Sequence, residues 1–130
     1  MIEALISISI SAKQLCAIPT DYQQPMKCYE VAVGCPNYPT PTGTFKVDTI
    51  YTNASLKSFI TNKNLGSDII GSTLIDLGPS PTIPGTRLAV HGWNKKITST
   101  MCSHGCIRLK KEDIQNVIRD YYFNSIRIKD

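Results

Sequence analysis

A mainly β chain with one clear helix near the C-terminus is predicted by three observations. Apolar and polar residues alternate in short runs along the first third of the chain. Clusters of Pro, Gly and Thr interrupt these runs at close intervals, and only one segment, late in the chain, repeats its apolar residues at helical spacing. With 130 residues, 42% of them hydrophobic and 18% charged, residues 1–130 are expected to form one domain with an ordinary core.

The elements follow in order. Ile6, Ile8 and Ile10 alternate with Ser7, Ser9 and Ser11, a period-2 strand. Leu15 to Ile18 forms a second strand, which turns through Pro19-Thr20-Asp21 and Gln24-Pro25. Cys28 to Val33 returns and Gly34 ends it, before a loop carrying Pro36, Pro39, Pro41 and Gly43. Phe45 to Thr49 resumes an extended pattern. Residues 53–70 carry little pattern beyond a short helix around Ser55 to Ile60. Leu74 to Leu77 reads as a strand. Gly78-Pro79-Ser80-Pro81 and Pro84-Gly85 bracket a loop, and Leu88 to Val90 is a strand that delivers His91. Ile114, Val117, Ile118 and Tyr121 fall at helical spacing, with Glu112 and Asp113 suited to the first turn. Asn124-Ser125 then turns the chain into a last strand through Ile126 and Ile128.

The formal charge is +4, from 14 Lys+Arg against 10 Asp+Glu. That mild excess suits basic residues scattered over a solvated surface. No basic patch is interleaved with aromatics, so no nucleic-acid partner is expected. No apolar run is long enough to span a bilayer. The apolar start carries Glu3 and alternates with serine, unlike a signal peptide, and Lys13-Gln14 do not suit a lipoprotein site at Leu15-Cys16. No export signal is expected within the chain.

Five cysteines, Cys16, Cys28, Cys35, Cys102 and Cys106, leave at least one thiol outside any internal pairing. Cys16 and Cys28 lie equally far from a turn near Tyr22 and face each other across a hairpin. Two reduced, small apolar residues are expected there in preference to a disulfide.

Only two histidines are present, and both lie beside glycine: His91-Gly92 at a strand end, and Ser103-His104-Gly105-Cys106. Gly105 lets the backbone turn sharply before Cys106 and leaves amide hydrogens free to meet a substrate oxygen. A thiol with a pKa near ~8.5 needs a neighbouring imidazole to supply thiolate at neutral pH. His91 arrives from a separate element and suits that task, with the Gly92 carbonyl holding its tautomer. His104 and Cys106, two apart on an extended chain, would have Cα atoms ~6.5 Å apart, so His104 receives a supporting role. Arg108 shares a face with Cys106 and suits a substrate carboxylate. Each residue also has a plainer reading. An isolated cysteine is most often a small core residue, and Arg108 alone is a surface charge. Cys102, His104, Cys106 and His91 could form a zinc site, but the alternation crowds a tetrahedral metal and none is expected.

The run Ser103-His104-Gly105-Cys106-Ile107-Arg108-Leu109, preceded by His91-Gly92, resembles the signature of the L,D-transpeptidases, the YkuD-type catalytic domain. Val31-Ala32-Val33-Gly34, then Pro39-Thr40-Pro41-Thr42-Gly43-Thr44-Phe45, is similar to that family's loop, and the resemblance spans nearly the whole chain. It implies a β-sandwich-like fold with a cleft between the motif loops. It implies attack by Cys106 on the stem-peptide bond before a terminal D-alanine, a thioester, and resolution by an amine of a neighbouring stem, giving a 3→3 cross-link. By the same resemblance His91 is the base and Gly92 supplies the orienting carbonyl. Amides of His104, Gly105 and Cys106 form the oxyanion hole, and Arg108, Ser103 and His104 contact substrate. Peptidoglycan stems are the implied partners, as donor and acceptor, with no cofactor, a cell-envelope location and a monomer. Hydrolysis of the same bond (an L,D-carboxypeptidase) and a non-catalytic or zinc-stabilised wall-binding module are the competing functions. Two departures stand out: Trp93 to Cys102 is short and lacks the glycine often found there, and Asn124-Ser125 replaces Gly-Thr.

Overall fold

The computed structural model describes residues 1–52 and 73–130, which form ten strands and one helix. The strands are β1 (Ile2–Ser9), β2 (Gln14–Pro19), β3 (Lys27–Ala32), β4 (Gly43–Lys46), β5 (Thr49–Thr52), β6 (Thr73–Pro79), β7 (Arg87–Trp93), β8 (Ile107–Lys110), β9 (Tyr121–Tyr122) and β10 (Ser125–Lys129). The helix α1 spans Lys111–Asp120. The expected mainly β architecture with a helix near the C-terminus is what the chain adopts. The short helix expected around Ser55 to Ile60 lies outside the described residues.

The strands form one mixed sheet in the order β4-β10-β1-β2-β3-β8-β7-β6-β5, with β9 on β1. β1 pairs β10 in parallel and β2 antiparallel, and β7 pairs β8 in parallel. The sheet folds over on itself, as a half-barrel. Ile6, Ile8, Leu15 and Ile126 from one half and Ile75, Val90, Ile107 and Leu109 from the other therefore share one buried cluster. The serine alternation of β1 follows from this packing: Ile6 and Ile8 fill the core, and the intervening Ser7 and Ser9 face away from it. Ile10, expected within the first strand, lies just past its end but still packs against the core.

α1 starts directly after β8, with Glu112 and Asp113 in its first turn and Arg119 in its last, as its macrodipole favours. Ile114 and Val117 are buried against the core. Tyr121 ends the helix and opens β9, so its helical spacing persists although its backbone is extended. The helix thus covers the core face of β6, β7 and β8, and the candidate site lies on their other face.

Two disulfides correct the expectation of reduced cysteines. Cys16 and Cys28 are register partners of β2 and β3, with Cα atoms 4.0 Å apart, and are bonded. The hairpin geometry was legible; the bond follows from two thiols held face to face. Cys35 and Cys102, 67 residues apart, form the second bridge, which the sequence did not suggest. The bonding of Cys102 also removes one thiolate from the alternative zinc set.

Candidate active site

The register of β6, β7 and β8 determines which side chains share the face opposite the helix. Leu74 pairs His91, Asp76 pairs Ala89, and His91 pairs Arg108. Since side chains alternate, Leu74 and Asp76, then Ala89, His91 and Trp93, then Arg108 and Lys110, lie on one face. One step back along the β7–β8 register brings Cys106 beside Ala89, and the two pack with Leu74 and Tyr51 in a small apolar cluster. Cys106 is the sole free cysteine.

Cys106 stands at the end of a loop that β3 holds by its extension. Ser103 N–H donates to the Val33 carbonyl and Cys35 N–H to the Ser103 carbonyl, each at 2.8 Å, with the Cys35–Cys102 disulfide alongside. The buried Ser103 hydroxyl donates to the Cys106 carbonyl and accepts from Gly105 N–H at 3.1 Å. Thr40, also buried, accepts from Gly34 N–H and donates to the Gly105 carbonyl, both at 2.8 Å. Gly105 has φ of 116°, a conformation that favours glycine. A side chain at Gly34 would run into the backbone of Tyr38 and Thr40. The expected sharp turn before Cys106 is therefore present, and it is braced from three sides.

His91 is buried, and its Nδ1 lies 2.8 Å from the Gly92 carbonyl. A carbonyl only accepts, so Nδ1 carries the proton and Nε2 keeps its lone pair. Burial, helped by the Arg108 charge, lowers the His91 pKa to about 4 against the opposing Gly92 hydrogen bond. The ring is thus neutral at pH 7. Burial pushes the Cys106 thiol up, which the Ala89 backbone and Arg108 only partly offset. The resting pair is a thiol and a neutral imidazole. Among the described residues, the hydrogen bond of the thiol runs to the Arg87 carbonyl at 3.6 Å. His91 sits one register step further along the same face, so the sulfur must turn toward it to pass on a proton.

The remaining expected residues divide. His104 is exposed and stacks its ring against Tyr38, with centroids 4.5 Å apart. Ser103 lies inside the loop. Gly105 N–H, one of three expected oxyanion donors, is engaged by Ser103, whereas the amides of His104 and Cys106 form no such bond among the described residues. The Arg108 guanidinium lies 4.1 Å from the Trp93 ring centre, and its Nη1 reaches the Cys102 carbonyl at 3.4 Å. That arrangement is a cation–π stack.

Sequence reading missed Asp76 and Arg87. Asp76 is buried, accepts from Arg87 Nε and Nη2 at 2.8–3.1 Å, and accepts from Gly78 N–H at 3.1 Å. Arg87 also reaches Asp48 at 3.0 Å. The pair ties β6 to β7, and through Asp48 to the residue before β5, on the face that also carries the cysteine. An acid in the apolar run Leu74-Ile75-Asp76-Leu77 was the available signal. Thr40 carried none beyond its place in the proline-rich loop.

The comparisons accord with this geometry. The family model described as the L,D-transpeptidase catalytic domain matches residues 3–119. The fold is similar to that of Bd1075 from Bdellovibrio bacteriovorus, with TM-score 0.70 and 14% identity over 99% of this chain and 48% of that one. An L,D-transpeptidase from Mycobacterium smegmatis gives TM-score 0.60 and 18% identity over 99% of this chain and 59% of that one. L,D-transpeptidase 3 from Mycobacterium tuberculosis, in complex with a faropenem-derived adduct, gives TM-score 0.64 and 16% identity over 99% and 61%. The chain therefore spans roughly half to three-fifths of the length of these proteins. No curated protein sequence matches it. The braced Gly105-Cys106 turn, the oriented His91 and the family match over residues 3–119 lead to one conclusion: this chain belongs to the L,D-transpeptidase catalytic-domain family.

Proposed function

We propose that the chain is a peptidoglycan L,D-transpeptidase with Cys106 as nucleophile. The observation that carries this reading is that four of the five cysteines are paired, while Cys106 alone keeps its thiol on the face shared with His91. The Cys106 sulfur attacks the carbonyl of the stem-peptide bond before the terminal D-alanine and passes its proton to His91 Nε2. The amides of His104 and Cys106 receive the oxyanion. D-Alanine leaves as an amine, taking the proton from the imidazolium, and a thioester remains. An amine of a neighbouring stem attacks the thioester, gives its proton to His91 and releases the thiol as a 3→3 cross-link forms.

Starting from thiol and neutral imidazole makes proton transfer part of the attack, so the base contributes in acylation itself. Ser103 and Thr40 hold the loop rather than the substrate, and the exposed His104 packs on Tyr38 beside that loop. Two disulfides support an oxidising location such as the cell envelope. Among the described residues, no helix is long and apolar enough to cross a membrane. Mass spectrometry of products from a purified tetrapeptide stem tests the reading. A cross-linked dimer with loss of one D-alanine is expected; a trimmed tripeptide alone would assign the hydrolase instead.

A further inference from the structure

The apolar run Leu74-Ile75-Asp76-Leu77 of β6 sets a carboxylate among buried neighbours, and Asp76 itself is 2% exposed. A buried ion pair generally stabilises a fold no better than apolar packing of similar volume. Stability alone therefore does not account for an acid at this position. The β6–β7 register offers another account. Asp76 pairs Ala89 and Pro79 pairs Arg87, so β6 carries one extra residue between these pairs, a bulge. Asp76 stitches the bulge to both strands. Gly78, with φ of 91°, donates its N–H to Asp76 Oδ1, and the carboxylate also accepts from Nε and Nη2 of Arg87. Bulges beside active sites commonly re-aim a neighbouring group.

The group aimed here is backbone. The β7–β8 register begins at Val90 and Ile107, so Ala89 and Cys106 lie one residue before the first pair. There the Cys106 sulfur meets β7. The thiol donates to the Arg87 carbonyl at 3.6 Å, and a hydrogen bond from the Ala89 backbone favours the thiolate. Arg87 and Ala89 are two apart on a strand, so their backbone groups point the same way and offer the sulfur one acceptor and one donor. The Arg87 side chain is held in turn by Asp76 at 2.8 Å and by Asp48 at 3.0 Å. One guanidinium between two carboxylates leaves a negative charge in excess. The other titratable groups around the sulfur are His91 on β7, Arg108 on β8 and Tyr51 on β5, which packs in the same apolar cluster. Arg108 draws the thiol down, and Asp76 pushes it up.

We propose that Asp76 and Arg87 are positioning residues for the nucleophile: their ion pair across the bulge fixes the β7 backbone groups on which the Cys106 sulfur rests. The proton of the sulfur then meets a fixed carbonyl, and the excess negative charge beside it opposes ionisation. Cys106 waits as a thiol until His91 draws the proton off during attack. Both residues act through the β7 backbone rather than on substrate, so neither is a catalytic residue. The role of Cys106 as nucleophile rests on the transpeptidase reading; the seat of its thiol does not.

The experiment uses the full chain and a reagent that needs no enzyme chemistry. Cys106 is the sole free cysteine, so its rate of alkylation by iodoacetamide against pH reports its ionisation. In the wild type the midpoint should lie above the ~8.5 of an ordinary cysteine. Asp76→Asn keeps the shape and removes the charge. Its profile should move to lower pH, with alkylation at neutral pH rising severalfold. Acylation by a carbapenem should slow severalfold, because the sulfur loses its fixed seat. Asp76→Thr, smaller and suited to a strand, should move both rates the same way, and it decides the matter if the amide does not fold. A merely structural role would lower the melting temperature and leave the alkylation profile in place. A wild-type midpoint at or below ~8.5, an unmoved profile in the folded variants, or acylation that rises together with alkylation would overturn the positioning role. If the profile moves as expected but the wild-type chain processes no stem peptide, the reaction assignment fails and the seat of the thiol stands. If stems are cross-linked and the profile does not move, the reaction stands and the positioning role fails.

Discussion

The Thr40 hydroxyl donates to the Gly105 carbonyl at 2.8 Å while accepting from Gly34 N–H at the same distance, joining the proline-rich loop to the residue before the free cysteine. Thr40→Val keeps the shape and removes both bonds, leaving a buried amide and carbonyl unsatisfied. A loss of about 2 kcal/mol in unfolding free energy is expected, together with slower acylation, since the turn at Gly105 loses its outer brace. Urea unfolding and acylation rates measured on the same preparation check both. An unchanged stability would mean that the bridge contributes nothing.

The Cys35–Cys102 disulfide should matter to the same loop. In the chain-entropy account a bridge closing a loop of this size stabilises by about 4 kcal/mol, and here it also lies beside Ser103. Treatment with a dithiol reductant, or the double change Cys35→Ser/Cys102→Ser, should lower the melting temperature and reduce acylation. The corresponding Cys16→Ser/Cys28→Ser change should lower stability with little effect on the acylation rate measured below the melting range, because that bridge lies in the β2–β3 hairpin.

Burial of His91 has a pH signature. Its pKa is about 4 in the folded chain and near ~6.5 when unfolded. Between those values the unfolded state binds more protons, so stability is highest above pH 6.5 and falls as pH drops toward 4. The contribution lost over the whole interval is about 3 kcal/mol, roughly 2 kcal/mol of it between pH 7 and pH 5. Chemical unfolding at pH 7 and pH 5 should show the fall in the wild type and its absence in His91→Gln, provided that variant folds. A wild-type stability that is flat over this range would contradict the buried neutral ring.

Much of this was legible in the sequence, for reasons that depend on range. The serine–isoleucine alternation of β1 and the Ile114/Val117 repeat of α1 are local signals, and the structure follows them. Cys106 and His91 stood out because a thiol and an imidazole carry their chemistry in residue type, next to glycines that mark unusual backbone, and the two lie on one face of the β7–β8 pair. What stayed hidden was set by pairings across many residues. The Cys35–Cys102 bridge joins a loop after β3 to a loop before β8. The Asp76–Arg87 pair spans a hairpin with a bulge. Neither of these meetings leaves a periodic trace.

The two histidines should separate by pH. His91→Ala removes the lone pair on the face shared with Cys106, so acylation should fall ~10²–10⁴-fold and recover partly at alkaline pH, where the raised thiol ionises unaided. His104→Ala loses the ring contact with Tyr38 and should weaken acylation without moving its pH dependence. A shifted profile in His104→Ala with an unshifted one in His91→Ala would reverse the assignment.

The most direct test of the account is the identity of the acylated atom. Intact-protein mass spectrometry after incubation with a carbapenem should find one drug mass per chain, mapped by peptide digestion to Cys106, and no adduct on Cys106→Ala. An adduct that persists in Cys106→Ala, or that maps to any other residue, would contradict the claim that Cys106 is the nucleophile.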